Sequence, residues 1–101
     1  MASYRFTTQA RADLQALSEY LTEQAGPDRA ERVLREIFDA AAKLAEMPGM
    51  GHRREDLTER PVLFWSVHGY LLIYRPETFP LEFIHVVSGF REVEATLARG
   101  G

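Results

Sequence analysis

The stretch from Val62 to Glu92 constrains the fold more than any other part of the chain. It contains three runs rich in β-branched and aromatic residues, at 62–67, 70–75 and 81–87, a composition typical of strands. His68-Gly69 separates the first two runs, and glycine there permits a two-residue hairpin turn. The proline-containing segment 76–80 separates the second and third runs, because proline cannot donate a ladder hydrogen bond. The sequence therefore predicts a three-strand antiparallel meander.

Alternation along the first two strands divides their side chains between two faces. One face would carry Leu63, Trp65, Val67, Tyr70, Leu72 and Tyr74, and the other Val62, Phe64, Ser66, Leu71, Ile73 and Arg75. Both faces are largely apolar, so we expect each to be covered by another part of the chain. Ser3–Phe6 predicts a short N-terminal strand that joins this sheet, because a lone short strand is not stable by itself.

The segment between these strands predicts a helical hairpin. Thr7 or Thr8 is a suitable N-cap, and an apolar stripe at helical spacing follows at Ala10, Leu14, Leu17 and Leu21. Gly26-Pro27 ends that helix and begins the next. The second helix ends at Met47-Pro48-Gly49, and its wide apolar stripe comprises Ala30, Val33, Leu34, Ile37, Phe38, Ala41, Leu44 and Ala45. A short C-terminal helix would carry Val93, Leu97 and Ala98.

This order predicts the α+β class: an N-terminal strand, a helical hairpin packed on an antiparallel sheet with a three-strand meander, and a short C-terminal helix. At 101 residues we expect one domain spanning 1–101. Cysteine is absent, and the three histidines lack the spacing of metal ligands. We therefore expect no metal and no cofactor. No run approaches the length that spans a bilayer and no leader opens the chain, so we expect a cytoplasmic protein without membrane contact.

The loop from Met47 to Pro61 is long for a connection, and long loops are often functional. It holds the densest cationic group of the chain, Arg53, Arg54 and Arg60. These arginines would steer the chain toward an acidic partner surface. Neighbouring acidic residues allow the alternative of a solvated, self-neutralising cluster. The net charge of −3 argues against tight binding of duplex DNA by this chain alone.

Three other residues have both structural and functional interpretations. Arg91 could engage a carboxylate of a partner or pair with Glu92, Glu94 or a helix end. His85 alternates with Leu81, Phe83 and Val87, which favours a half-buried imidazole with a hydrogen-bonded ring. Trp65 suits the core, although tryptophan is also enriched at interface hot spots.

With these residues in place, the chain resembles the ParE toxins of the RelE/ParE superfamily of bacterial toxin–antitoxin systems. The resemblance covers nearly the whole chain and rests on Tyr4…Phe6, Ala12-Asp13-Leu14, Tyr20-Leu21, Pro48-x-x-Gly51, Arg54…Leu57, Gly69-Tyr70, Ile73-Tyr74 and Val86-x-x-Gly89-x-Arg91-Glu92. The family usually has Asp where this chain has Glu92, and many members have His at Ser88 and Arg at His85.

The resemblance implies a toxin that is neutralised by a ParD-like antitoxin in a hetero-oligomer, and a pair that represses its own operon. ParE members poison DNA gyrase, whereas RelE members cut mRNA in the ribosome, and the shared fold cannot choose between them. RNA cleavage needs an acid–base pair with cations on the phosphate. The position after Gly69-Tyr70 is basic in RelE-type toxins, but this chain has Leu71 there. Where those toxins have a C-terminal tyrosine, this chain has Leu97.

The prediction is therefore a non-enzymatic gyrase inhibitor with no catalytic residues. The alternatives are a ribosome-dependent mRNA endonuclease and a non-toxic protein that retains antitoxin binding only. The candidate target-binding residues are Arg53, Arg54, Arg60 and Arg91. The candidate antitoxin-binding residues are Leu17, Tyr20, Leu21, Trp65, Arg75 and His85. An antitoxin tail would bind as an amphipathic helix in a groove or as an added strand on a sheet edge.

Overall fold

The computed structural model describes residues 3–88 and Leu97. Over this part of the chain, two helices pack on one face of a four-stranded sheet. The strands are β1 (Tyr4–Phe6), β2 (Leu63–Val67), β3 (Tyr70–Arg75) and β4 (Leu81–Ser88), and the helices are α1 (Thr8–Ala25) and α2 (Pro27–Glu46). A single 3-10 turn, Pro48–Met50, follows α2. The predicted α+β architecture is confirmed.

The sheet has the strand order β1-β4-β3-β2. The meander β2-β3-β4 is antiparallel, as the sequence predicts, and Val67 pairs with Tyr70 across the two-residue turn. His68 and Gly69 have φ of 52° and 82°, the two positive values that a type I′ hairpin turn requires. β1 pairs with β4 in parallel, which makes the sheet mixed. Parallel neighbours need a long crossover, and the chain between β1 and β4 supplies it.

Local chemistry fixes the ends of both helices. The Thr7 side chain accepts a hydrogen bond from Ala10 N–H at 3.2 Å, which satisfies one of the free N–H groups of the first turn. Gly26, with φ of 91°, ends α1, a conformation that suits glycine because it lacks a Cβ atom. Pro27 then starts α2, where its missing N–H costs nothing. The hairpin predicted from Gly26-Pro27 is confirmed.

Both faces of the sheet are covered, as their apolar character predicts. The helix-facing cluster comprises Leu14, Leu17, Leu21, Ala30, Val33, Ile37, Ala41, Leu44, Leu63, Leu72, Tyr74, Leu81, Phe83 and Val86. The outer cluster comprises Val62, Phe64, Leu71, Ile73, Ile84 and Leu97. Leu97 is helical and buried there. The rest of the predicted C-terminal helix lies outside the described residues.

Candidate functional site

An open groove of about 790 Å³ runs between α1 and the end of β4. We call it the α1–β4 groove. It is lined by Gln9, Asp13, Ala16, Leu17, Tyr20, Tyr70, His85, Val86, Val87 and Ser88. Three of the six candidate antitoxin-binding residues, Leu17, Tyr20 and His85, are therefore brought together. Leu17 is buried in the floor, whereas Tyr20 is 57% exposed.

Asp13 joins the two walls of this groove. Its Oδ2 accepts a hydrogen bond from Val86 N–H at 3.0 Å and lies 3.3 Å from His85 Nδ1. Its Oδ1 accepts from Gln9 Nε2 at 3.1 Å. Sequence reasoning assigned Asp13 no role. The sequence did carry one signal for Asp13, its position one helical turn before Leu17. A carboxylate beside an apolar helical stripe faces the packed side of the helix, where it needs hydrogen-bond donors.

His85 is more deeply buried than predicted. Its side chain is 1% exposed, and Nε2 has no hydrogen-bond partner among the residues described. The expected alternation with Leu81 and Phe83 is wrong, because Tyr74 pairs with Phe83 while Ile73 pairs with His85; the alternation with Val87 holds. The extra residue in β4 forms a bulge, which shifts the facing of the side chains that follow. Val87 consequently packs against the outer cluster.

The remaining candidate antitoxin-binding residues lie elsewhere. Leu21 is buried in the helix-facing cluster, and Trp65 packs beside that cluster with its ring stacked on His52, 5.9 Å between centroids. Arg75 pairs with Glu82, which also pairs with Arg5. The structure does not bring these residues into the α1–β4 groove.

The arginine loop, which we define as residues 51–61, lies at the opposite edge of the sheet. Arg54 binds Asp56 through two hydrogen bonds, Nε to Oδ1 at 3.0 Å and Nη2 to Oδ2 at 2.8 Å. The Arg54 guanidinium lowers the pKa of Asp56. Arg53 and Arg60 are exposed, and neither forms an ion pair within residues 3–88. Of the three arginines in the predicted cationic cluster, Arg54 is therefore paired with Asp56, whereas Arg53 and Arg60 face solvent.

A buried phenol holds this loop against the sheet. Tyr74 Oη donates to the Pro48 carbonyl at 2.7 Å and accepts from Gly51 N–H at 3.0 Å. Burial raises the pKa of Tyr74, and the hydrogen bond from Gly51 opposes that shift. His52 adds a bridge to Phe64, which extends the edge of β2. The loop is thus anchored at its start by β2 and β3.

The model of the family described as the ParE toxin of type II toxin–antitoxin systems, parDE, matches residues 4–92. The chain belongs to the ParE toxin family. It is also similar to a solved chain described as the chromosomal ParDE TA system from P. aeruginosa, with 21% identity and a TM-score of 0.72. That match covers 88% of this chain and 97% of the other. A search of curated proteins found no match.

The resemblance and the α+β fold inferred from the sequence are thus confirmed for this ParE-family toxin. Arg91, the fourth candidate target-binding residue, lies outside the described residues. Over the described residues, no group of three His, Asp or Glu side chains could hold a metal ion. No helix in that same part of the chain is long and apolar enough to cross a membrane.

Two polar residues of the sheet that a RelE-like nuclease site would need, His85 and Arg75, are engaged with carboxylates. His85 is 1% exposed, and its Nδ1 lies 3.3 Å from Asp13 Oδ2. Arg75 pairs with Glu82, and strand alternation places Glu82 on the outer face, between the inward-facing Leu81 and Phe83. An acid–base pair needs both groups within hydrogen-bond reach of one substrate. His85 is too deeply buried for that contact, and Glu82 already occupies the Arg75 guanidinium.

Proposed function

We propose that this ParE-family toxin inhibits DNA gyrase by protein–protein contact in the cytoplasm, without catalysing a reaction, and that a ParD-like antitoxin neutralises it. The observation that carries the non-catalytic part is the burial of His85, whose side chain is 1% exposed, together with the pairing of Arg75 with Glu82. Membership of the ParE family supports the gyrase target. The similarity to a chain of a ParDE system supports an antitoxin of the ParD kind.

The arginine loop is the proposed gyrase-facing surface. Arg53 and Arg60 are exposed on a segment that Tyr74 holds in place, so they present cationic groups without first having to order the loop. A gyrase–DNA complex offers an acidic surface that such groups would steer toward. Arg54 contributes less, because Asp56 already occupies its guanidinium.

The test is gyrase supercoiling with trapping of cleaved DNA, measured at increasing amounts of the purified chain beside an in vitro translation reaction. We expect loss of supercoiling with intact translation. The double variant Arg53→Glu/Arg60→Glu should inhibit at least tenfold more weakly. Arg32→Glu is the matched control, since Arg32 is exposed on α2 and away from the loop.

Three results would contradict the proposal, the third only its assignment of the contact to the arginine loop. Loss of translation with cut mRNA would establish the endonuclease alternative and make His85 and Arg75 the residues to mutate. No effect in either reaction, with the antitoxin still bound, would identify a non-toxic protein that retains antitoxin binding only. Equal loss of inhibition in Arg32→Glu would show that net charge, not the arginine loop, governs the contact.

A further inference from the structure

We propose that Phe79, on the turn between β3 and β4, is the apolar anchor of the gyrase contact and inserts into an apolar pocket of gyrase rimmed by acidic side chains. We call this segment, residues 76–80, the β3–β4 turn. The inference rests on the proposed function, because it extends the proposed gyrase-facing surface from the arginine loop to the β3–β4 turn. The exposure of the ring, the bracing of the turn and its place in the fold each support it.

The Phe79 side chain projects into solvent instead of packing in the core. It is 81% exposed, against 40% for Phe38, whose ring lies 5.7 Å from that of Phe6 between centroids. Phe79 belongs to neither of the two hydrophobic clusters that cover the sheet. Burying a phenylalanine ring releases free energy in proportion to the apolar area removed from water, and aromatic residues are enriched at protein interfaces for this reason. The ring is therefore available to a partner.

Hydrogen bonds to both flanking strands brace the turn that carries Phe79. Thr78 Oγ1 donates to the Arg75 carbonyl at 2.9 Å and accepts from Glu82 N–H at 2.8 Å. Arg75 and Glu82 are also paired in register and by charge at the base of the turn. A segment that must become ordered on binding loses affinity through that ordering. The braced turn presents Phe79 without this cost.

Strand register places the β3–β4 turn at the same end of the sheet as the last part of the arginine loop. Leu63 pairs with Tyr74, so β2 begins beside the point where β3 ends. Arg60 lies three residues before Leu63, and Phe79 lies five residues after Tyr74. The axis of β2 and the middle of the β3–β4 pair are one and a half strand spacings apart, about 7 Å. One partner surface can therefore contact both Arg60 and Phe79.

The charges beside the turn specify the pocket that would receive the ring. Arg5 on β1 and Arg60 before β2 are exposed on the two sides of the turn, although Arg5 pairs with Glu82. Glu77 is the acidic residue of the turn itself. An apolar ring between two arginines is complementary to an apolar cavity bordered by carboxylates. Such a cavity is a feature of a protein surface, whereas duplex DNA presents phosphates, so we assign the Phe79 contact to gyrase and not to its DNA.

The test measures the Kd of the full chain for purified gyrase and its inhibition of supercoiling. Phe79→Ala removes the ring, and Phe38→Ala is the matched control, because Phe38 is also an exposed phenylalanine but lies on α2. We expect Phe79→Ala to raise both the Kd and the inhibitory concentration about 30-fold, and Phe38→Ala to change them less than about threefold. Phe79→Tyr keeps the ring and should stay within about fivefold of the wild type. The Tm of Phe79→Ala should stay within about 2 °C of the wild type, because the ring is exposed.

Each contrary result overturns the inference in a distinct way. Full inhibition by Phe79→Ala would remove the anchor and leave the proposed function intact, whereas a wild-type chain that neither binds nor inhibits gyrase would remove both. Equal losses in Phe79→Ala and Phe38→Ala would show that the position of the ring is irrelevant. Normal inhibition by Phe79→Ala with lost antitoxin binding, or with loss of a homodimer, would assign the ring to that other partner. A lower Tm of Phe79→Ala would assign it to the fold.

Discussion

Replacing Tyr74 with Phe removes one oxygen atom and should lower the free energy of unfolding of the domain. The Tyr74 hydroxyl satisfies two backbone groups, the Pro48 carbonyl in the 3-10 turn and Gly51 N–H at the start of the arginine loop, while the ring itself is fully buried. The phenylalanine ring keeps the apolar contacts but leaves both groups to water or unpaired. A buried group left unpaired costs about 1–3 kcal/mol. Because the loop is only partly buried and water can reach some of it, we expect about 1–3 kcal/mol in total.

The assay is thermal unfolding at neutral pH, with urea unfolding as a second measure. For a domain of this size each kcal/mol lowers Tm by about 4–8 °C. Tyr20→Phe is the matched control: Tyr20 is 57% exposed, and no hydrogen bond of its hydroxyl appears within residues 3–88, so its Tm should stay within about 2 °C. A Tyr74→Phe variant that melts with the wild type would refute the claim that this hydroxyl anchors the loop.

The substitution Gly51→Ala tests the same contact from the side of the loop. A Cβ atom added at Gly51 would lie 2.3 Å from Tyr74 Oη, so Gly51→Ala must displace the phenol or the loop. The loss of stability caused by Gly51→Ala should be smaller in the Tyr74→Phe background, because the closest clashing atom is gone and only the ring carbons Cε1 and Cζ remain, at 3.0 Å. We expect a coupling free energy of about 0.5–2 kcal/mol between the two sites in a double-mutant cycle. Strict additivity would mean that the loop yields to the extra methyl without moving the ring.

Two further predictions concern pH and helix capping. Hydrogen bonds from Arg5, and then from Arg75, lower the pKa of Glu82, so the stabilisation is complete above the unfolded pKa of about 4.3 and is lost as the pH falls through the folded value. Glu82→Gln should therefore cost about 1 kcal/mol at pH 7, and chemical unfolding should show that difference shrinking below about pH 4. Thr7→Ala removes the N-cap of α1 and a hydrogen bond to β4, so it should lower the free energy of unfolding by about 1–2 kcal/mol. The control is Thr22→Ala at an exposed position, which should lower it by less than about 0.5 kcal/mol. A Thr7→Ala loss no larger than that of Thr22→Ala in urea unfolding would contradict the capping role.

The fold was largely predictable because its signals are local. His68-Gly69 specifies a turn that fixes the β2–β3 register, and Gly26-Pro27 separates the helices. The parallel pairing of β1 with β4 was not predictable in this way. It joins residues more than seventy positions apart, and neither strand carries a turn signal that sets its direction. The β4 bulge was not predictable for a related reason: Phe83-Ile84 and Val86-Val87 are adjacent apolar residues, so the sequence shows no strict alternation that an extra residue would interrupt.

The candidate site was partly predictable for the same physical reason. Leu17 and Tyr20 lie on one helical stripe, so their common location follows from periodicity. Asp13 and Tyr74 could not be assigned from sequence, because their roles depend on backbone groups of distant segments: Val86 for the carboxylate, and Pro48 and Gly51 for the phenol. A hydrogen bond to a distant backbone group leaves no pattern in the residue types that surround it.

The α1–β4 groove and the arginine loop lie at opposite edges of the sheet, and this placement bears on how neutralisation works. His52, Phe64, Ile73 and His85 are successive partners in one row across the strands, which separates the two surfaces by about 14 Å at 4.8 Å per step. A ligand that occupies only the groove cannot cover both surfaces. An antitoxin held in the groove must therefore continue across the sheet to screen the loop.

Two variants separate the surfaces. Ala16→Trp should still inhibit supercoiling yet escape the antitoxin, because the loop is intact while the groove is filled. Arg53→Glu/Arg60→Glu should lose inhibition yet bind the antitoxin within about threefold of the wild-type Kd, a difference of about 0.7 kcal/mol. If each variant lost both properties while keeping its Tm, gyrase and antitoxin would share one surface, and the separation argued from the strand register would be wrong.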